Sequence, residues 1–428
     1  MGMNGSLAPI GLNDISVYVP RNSLNLEVLR RIRVEQDPGL EKHLQRALAT
    51  TGQRAMRFPG PTEDTVTLAA EALKRLLSSP AARPLDGLRF LTLGTETSVD
   101  MSKSGSSYVL GLLQKSGYSL PSNLSSFQVQ HACAGGTLAL LTTAGFLQAA
   151  GREDDSSIVL TSDIARYKAP STAEVTQGAG ATGLWLTRQP DLLELDLATT
   201  GFASHDVDDF FRPLGSTIAK VKGGYSLACY NEALSEAFED HCARAGVSPG
   251  DELESIDLFC LHVPYALMPI SAMDKLLAKH LGLDAAGARS FLEKRGFFQA
   301  LEATAEIGNL YTGSLWLNLA FSLEERLQTL GPEMAGKRVL MASYGSGNTM
   351  AVFTGIIAAL APAVIGRWNL EGLLRDKKEP PFEAYEYWLD THRTFENYPA
   401  ILERYPPQAG HFALTGLRED GYREYSFV

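Results

Sequence analysis

The sequence predicts an α/β fold made of alternating layers of helix and sheet, and three observations predict it. Apolar runs of strand length recur along the chain, each followed by a segment with helical periodicity. One helical segment, "AGGTLALLTTAGFLQAAG", is apolar nearly all round, and a second, "GSLWLNLAFSLEERLQTLG", is mostly apolar. A helix without a polar face has to be buried on every side. The same strand–helix alternation, with its own apolar helix, fills both halves of the chain, so central helices should be covered by sheet on both sides.

The elements follow in order. "LRFLTLGTET" reads as a strand ending near Glu96, "SSFQVQ" as a strand leading into the first apolar helix, and "SSIVLTSDIA" as a further buried strand. "ATGLWLTRQPDLLELDLA" reads as two strands joined by a turn at Pro190-Asp191. In the second half, "SIDLFCLHV" is a strand and "ISAMDKLLAKHLG" a helix closed by Gly282. "KRVLMASYG" and "TMAVFTGII" are the last core strands, and the charged, aromatic tail after Arg367 is expected to pack on the surface. The uncharged stretch Val339–Gly366 is long enough to span a bilayer. "SYGSGN" and Pro362 interrupt it, so two buried strands joined by a glycine turn fit better.

The 428 residues carry a net charge of -11, which argues against nonspecific binding to nucleic acid or to an anionic membrane. Four cysteines, Cys133, Cys229, Cys242 and Cys260, are too sparse for a disulfide scaffold, and none has metal-ligand spacing. A cytoplasmic setting is the expectation, and "MGMNGSLAPIGLND" shows no secretory signal pattern. "GAGATG" satisfies G-x-G-x-x-G, but a polar segment precedes it and a strand follows it. Its glycines therefore suit a tight turn or close packing rather than a dinucleotide.

Four residues carry the chemistry. Cys133 sits where a strand gives way to a helix, a position that lowers a thiol's pKa, and Gly135 and Gly136 would leave space beside the sulfur. The alternative is an inert core cysteine, and this stretch alone leaves the two open. His262 ends an apolar strand, where a satisfied core histidine is the alternative. Asn309 lies in a polar loop before an apolar helix, where a turn or cap role is the alternative. Glu96 ends a strand, where a solvated or capping carboxylate is the alternative. All four fall at ends of buried strands or starts of buried helices, where sites of open α/β sheets gather. A thiolate, an imidazole, an amide and a carboxylate brought together there would suit carbon–carbon bond formation on thioesters.

At these residues the chain resembles the hydroxymethylglutaryl-CoA synthase family of the thiolase superfamily. The resemblance rests on "GTETSVDMSKSGSSYVLGLL", "HACAGGT", "SDIARY", "TQGAGAT", "DDFFRPLG", "GGYSLACYNEAL", "LHVPY", "GNLYTGSL" and "SYGSG", in family order. It implies a five-layered αβαβα fold of two similar halves, residues 1–212 with Cys133 and Glu96 and residues 213–428 with His262 and Asn309, assembled as a homodimer. It implies that Cys133 takes acetyl from acetyl-CoA and that Glu96 is the base forming the acetyl-Cys carbanion. His262, as general acid, and Asn309 would polarise an acetoacetyl thioester. The N–H groups of Cys133 and Ser346 would form the oxyanion hole, and Tyr167 and Phe210 would line the acetyl pocket. The substrates would be thioesters of CoA or of the phosphopantetheine of an acyl carrier protein, with no metal or redox cofactor.

Two positions depart from the family pattern. Ala134 stands where a tyrosine is usual, suggesting an altered acyl pocket that takes something larger than acetyl or a different second substrate, and Asn348 follows "SYGSG" where a small or sulfur residue is usual. Substrates on CoA would place the enzyme in the mevalonate pathway, and substrates on a carrier protein in polyketide β-branching. The second needs a basic patch at the tunnel mouth, for which Lys220 and Lys222 are candidates, although CoA phosphates would use the same charges. A ketoacyl synthase III-like Claisen enzyme and a silent partner subunit that binds acyl chains or carrier protein are the competing readings. The dedicated base Glu96 speaks against the first and the complete residue set against the second.

Overall fold

The computed structural model describes residues 8–428. Its main sheet has nine strands: β1 (Gly11–Tyr18), β2 (Leu88–Gly94), β3 (Ser125–Val129), β4 (Ser156–Ala165), β5 (Gly178–Thr187), β6 (Leu193–Ser204), β7 (Leu258–Leu261), β8 (Arg338–Gly345) and β9 (Thr349–Ile357). They lie in the order β7-β8-β9-β6-β1-β5-β4-β2-β3. Outward from the β1–β6 seam, both sides repeat one pattern. β1/β5 and β5/β4 are antiparallel and β4/β2 is parallel; β6/β9 and β9/β8 are antiparallel and β8/β7 is parallel. That repeat is the observed form of the two similar halves. β6 lies ahead of the expected 212/213 division, yet its ladder runs from Leu193 to Ser204 against β9. It touches β1 only at Leu193 and Glu194. The strands therefore change halves between β5 and β6.

The strands are apolar on both faces because both faces are covered. Val159 and Leu184 point to one cluster with α2 (Gly135–Ala150) and α5 (Ser314–Leu330), and Val339, Met341 and Phe353 from the other half join it. Their neighbours Ile158, Leu160 and Trp185 point the opposite way, onto α1 (Thr65–Leu77). Leu340, Ala342 and Val352 do the same onto α3 (Gly223–Ala245) and α4 (Met268–Leu281). Alternation with period two thus builds five layers, helix–sheet–helix–sheet–helix, with α2 and α5 in the middle.

Three expectations need correction. α2 is not buried all round: Phe146 is 47% exposed, Thr142 is exposed, and Leu138 and Leu141 are half-buried. This face adjoins β3, which among the described residues pairs with β2 alone and ends the sheet. The tail after Arg367 is not a surface layer. Tyr385 and Trp388 enter one core cluster, Tyr398, Ile401, Phe412, Leu414 and Tyr425 another, and Leu370 and Leu373 a third, because the tail carries large apolar side chains whose burial is favourable. Gly136 does not open space for substrate. A Cβ on Gly94 would fall 2.2 Å from its Cα, so bare backbone lets α2 lie against β2. The glycines of "GAGATG" lie inside β5, as close packing requires: a Cβ on Gly178 would fall 2.5 Å from the Asn309 nitrogen.

Candidate active site

The site forms where parallel strands end. Glu96 follows β2, Cys133 lies between β3 and α2, His262 follows β7, and Ser346 lies in the turn after β8. Asn309 precedes α5. Two non-glycine residues among those described have positive φ, Ala132 at 40° and Tyr311 at 45°, and both flank this site. Strained backbone of this kind persists where surrounding structure over-determines it.

Cys133 donates to Glu96 Oε2 at 3.5 Å. Its thiol pKa is pushed well up, first by burial and then by the charges of Glu96 and Asp163. The expected lowering by the helix terminus does not win. α2 begins two residues later, and the Ala134 N–H is taken by His131 O at 3.0 Å. Cys133 therefore rests as a neutral thiol bonded to the neighbouring carboxyl group of Glu96.

Glu96 is held from two directions. Arg212 Nη2 lies 2.6 Å from Oε1, with both side chains mostly buried. Burial raises the carboxyl to about 8, with Arg212 opposing and Asp163 adding to the rise. Asp163 is the hub below it. Its Oδ1 accepts from Thr95 Oγ1 at 2.8 Å, Glu96 N at 2.9 Å, Thr97 N at 3.1 Å and Thr97 Oγ1 at 2.7 Å. Its Oδ2 accepts from Thr312 N at 3.1 Å and from the Thr312 hydroxyl. One buried carboxylate thus ties the Glu96 loop to the Asn309–Thr312 loop.

An aromatic wall closes around the sulfur. Tyr167 and Phe210 stand 6.3 Å apart, Phe210 and Tyr311 5.7 Å apart, both edge-on, and Cys133, Ala165 and Ala219 complete the cluster. Ala134 is not part of it. It is 1% exposed, and a Cβ built on Gly345 would fall 2.7 Å from its own Cβ. The alanine faces the end of β8 at Gly345. Tyr167 is fixed from behind: Gln177 Oε1 accepts its N–H at 2.8 Å, and Gln177 Nε2 donates to the tail residue Tyr385 at 2.7 Å.

Asn309 holds the turn before α5. Its Oδ1 accepts from Tyr311 N at 2.8 Å and Ser314 Oγ at 2.9 Å, which leaves Nδ2 as its remaining donor. His262 is 3% exposed, and its N–H donates to Ala342 O at 2.8 Å. That bond sets it beside β8, whose end at Gly345 abuts His131 and Ala134. Burial pushes the His262 ring down to about 3, so it rests neutral and donates a hydrogen bond rather than an imidazolium proton. Ser346 is half-buried, in a turn tied down by buried Asp209, which accepts Gly347 N at 3.0 Å and the Tyr344 hydroxyl at 2.8 Å. Asn348 anchors the same turn, accepting His205 N at 2.9 Å. Lys222 is spent on Asp208 at 2.5 Å, while Lys220 reaches the face of Phe211 at 5.8 Å.

Asp163, Asp209 and Arg212 were not singled out in the sequence, and one signal pointed to the first of them. Asp163 is the lone acid in the apolar strand "SSIVLTSDIA", and a buried charge has to be answered by partners. Arg212 and Asp209 lie in "DDFFRPLG", where nothing local marks an inward side chain.

Comparison with known proteins agrees with this geometry. The family model for the hydroxymethylglutaryl-coenzyme A synthase N-terminal region matches residues 8–191, and the C-terminal model residues 285–403. A hydroxymethylglutaryl-CoA synthase of Enterococcus faecalis is 31% identical over 377 residues, covering 88% of this chain and 90% of its own. The enzyme of Haloferax volcanii is 27% identical, covering 88% and 91%. MvaS, solved in complex with 3-hydroxy-3-methylglutaryl coenzyme A, shares 31% identity over 99% of this chain and 100% of its own, with a TM-score of 0.82. The HMG synthase of the curacin biosynthetic pathway shares the fold, covering 98% of this chain and 100% of its own with a TM-score of 0.82 and 22% identity. A buried thiol bonded to a carboxyl at the strand ends of a doubled five-layer fold, matched along nearly the whole chain, places this protein in the hydroxymethylglutaryl-CoA synthase family, the thioester-condensing acyltransferases of thiolase-like fold.

Proposed function

We propose that this enzyme joins acetyl-CoA and acetoacetyl-CoA and releases 3-hydroxy-3-methylglutaryl-CoA, in the mevalonate route. The carrying observation is the Cys133–Glu96 contact of 3.5 Å inside the aromatic wall. Cys133 Sγ gives up its proton and attacks the acetyl carbonyl; the bond to CoA sulfur breaks and CoA leaves as the thiol. Glu96 Oε2 removes a methyl proton. The carbanion attacks C3 of the acetoacetyl thioester, whose oxygen is met by Asn309 Nδ2 and the neutral His262 ring. The proton held by Glu96 is the one the new alkoxide needs, so the balance closes inside the site. Water then cleaves the Cys133 thioester, leaving a carboxylate and restoring the thiol. The steps are acyl transfer, proton transfer, addition of a carbanion to a ketone, and hydrolysis; no electrons are exchanged with an outside group, and the charges are met by residues of the site.

CoA is favoured over a carrier protein by likeness, since MvaS shares 31% identity with this chain and the HMG synthase of the curacin pathway 22%. The relative at 31% identity was solved with the CoA product bound. Mass analysis after mixing acetyl-CoA with acetoacetyl-CoA should show the six-carbon product. Product from the two carrier-protein thioesters alone would move the enzyme to β-branching, and none from either pair would overturn the reading. The four free cysteines suit a reducing cytoplasm.

A homodimer through β3 and α2 covers what one chain leaves open. The free edge of β3 and the exposed Phe146 lie together, with Phe90 5.0 Å from Phe146 and 6.3 Å from Phe127. Burying one such ring contributes about 2 kcal/mol. Phe146→Asp is expected to give monomer by light scattering where the parent gives dimer. Dimer retained at micromolar concentration would place the interface elsewhere.

A further inference from the structure

Arg212 follows the two-residue strand Phe210–Phe211, which pairs with Lys220–Val221 at the surface. Its side chain nevertheless turns inward and is 14% exposed. Nη2 takes Glu96 Oε1 at 2.6 Å, while Glu96 Oε2 takes the Cys133 thiol at 3.5 Å, so each carboxyl oxygen has one neighbour. Arg212 Nε is buried without a hydrogen-bond partner among the described residues, and Cζ stands 5.8 Å from the Tyr311 ring centroid. The guanidinium is therefore wedged between the base and the aromatic wall. An orphaned N–H is tolerated where a group is held for another purpose.

We propose that Arg212 is the positioning residue for the base: by occupying Oε1 it aims Oε2 at the acyl methyl carried on Cys133. This rests on the reading of Glu96 as the base. A carboxyl that could rotate would present either oxygen, and a small misplacement of a reacting atom is costly. The planar fork suits the task better than an ammonium, which binds as a point charge. Arg212 is also the cation among the ionisable groups that face Glu96. The others are Asp163 on β4, Cys133 before α2, and the phenols Tyr167 and Tyr311. Removing it should leave a base that ionises only at higher pH.

The test follows loss of acetyl-methyl protons to D2O from pH 6 to 10, with acetylation of Cys133 read separately by intact mass. Arg212→Gln should move the rising limb of exchange up by about one pH unit and slow exchange at pH 7 about tenfold. Acetylation should stay within about threefold. Exchange that reaches the parent's rate on the high-pH plateau, where Glu96 is fully ionised, overturns the proposal, and a slower plateau supports it. If Arg212→Gln gives no cooperative melt, Arg212→Lys decides. A limb near the parent's with slower exchange supports the lost aim, and parent values in both overturn it. Failure of the parent to exchange at any pH is a different result, because it removes Glu96 as base and with it the functional reading.

Discussion

Glu96→Gln is expected to stop condensation while leaving Cys133 able to carry acetyl. Gln keeps the size of the carboxyl and can accept from Arg212, but it takes up no proton. Loss of a general base costs about 10²–10⁴-fold, so condensation should fall by about 10³-fold. Intact mass should still show the acetyl adduct on Cys133, which separates loss of the carbanion step from loss of the nucleophile. The parent's condensation should rise with pH through about 8, where Glu96 ionises. The same substitution should change stability with the opposite benefit. The folded-state value lies above the unfolded one, so the folded chain holds a proton that the unfolded chain releases. Stability from this group is full below about 4.5 and is lost as pH rises through about 8. Gln mimics the protonated form, so the variant should match the parent near pH 4.5 and exceed it progressively toward pH 8.5. The accumulated difference is on the order of 4 kcal/mol, less whatever relaxation recovers. Thermal melts at the two pH values read it, and a variant less stable than the parent at pH 8.5 would mean that the carboxylate is a favourable partner of Arg212 rather than a costly one.

The layering was legible because it depends on period and burial alone. Runs such as "SSIVLTSDIA" are apolar on both faces, so neither face could be solvent, and the doubled strand pattern follows once both halves show it. The positions of Cys133, Glu96, His262 and Asn309 at element ends were legible for the same reason. Three things were not. The exposed face of α2 carries Phe146, and composition cannot distinguish an apolar residue that is buried from one that stays exposed. The state of Cys133 depends on Glu96 and Asp163, 37 and 30 positions away along the chain, whose charges outweigh the local helix terminus. Arg212 sits in a segment whose neighbours Phe211 and Leu214 are exposed, so local pattern points its side chain outward, while tertiary structure brings it to Glu96.

Asp163→Asn should damage both the fold and the chemistry, and its pH signature should run against that of Arg212→Gln. Oδ1 accepts from four donors, so the amide nitrogen of an asparagine has to take the place of Oδ2. There it meets the Thr312 N–H and hydroxyl. The hydroxyl can adapt, since it also lies 3.0 Å from Gly94 O and can donate there. The Thr312 N–H has no such freedom and is left facing a donor. An orphaned buried N–H costs about 1–3 kcal/mol, and losing the charge weakens the five bonds that remain. Roughly 2–4 kcal/mol of stability should go, read as a lower Tm. Loosening the tie between the Glu96 loop and the Asn309–Thr312 loop separates base from acceptor, so condensation should fall about 10²-fold even where folding is complete. The charge of Asp163 raises Glu96, so its removal should move the rising limb of the pH profile downward. Arg212 and Asp163 thus bracket the base with opposite signs. A limb that moves the same way in both variants would mean that the shifts come from altered burial of Glu96 rather than from these two charges.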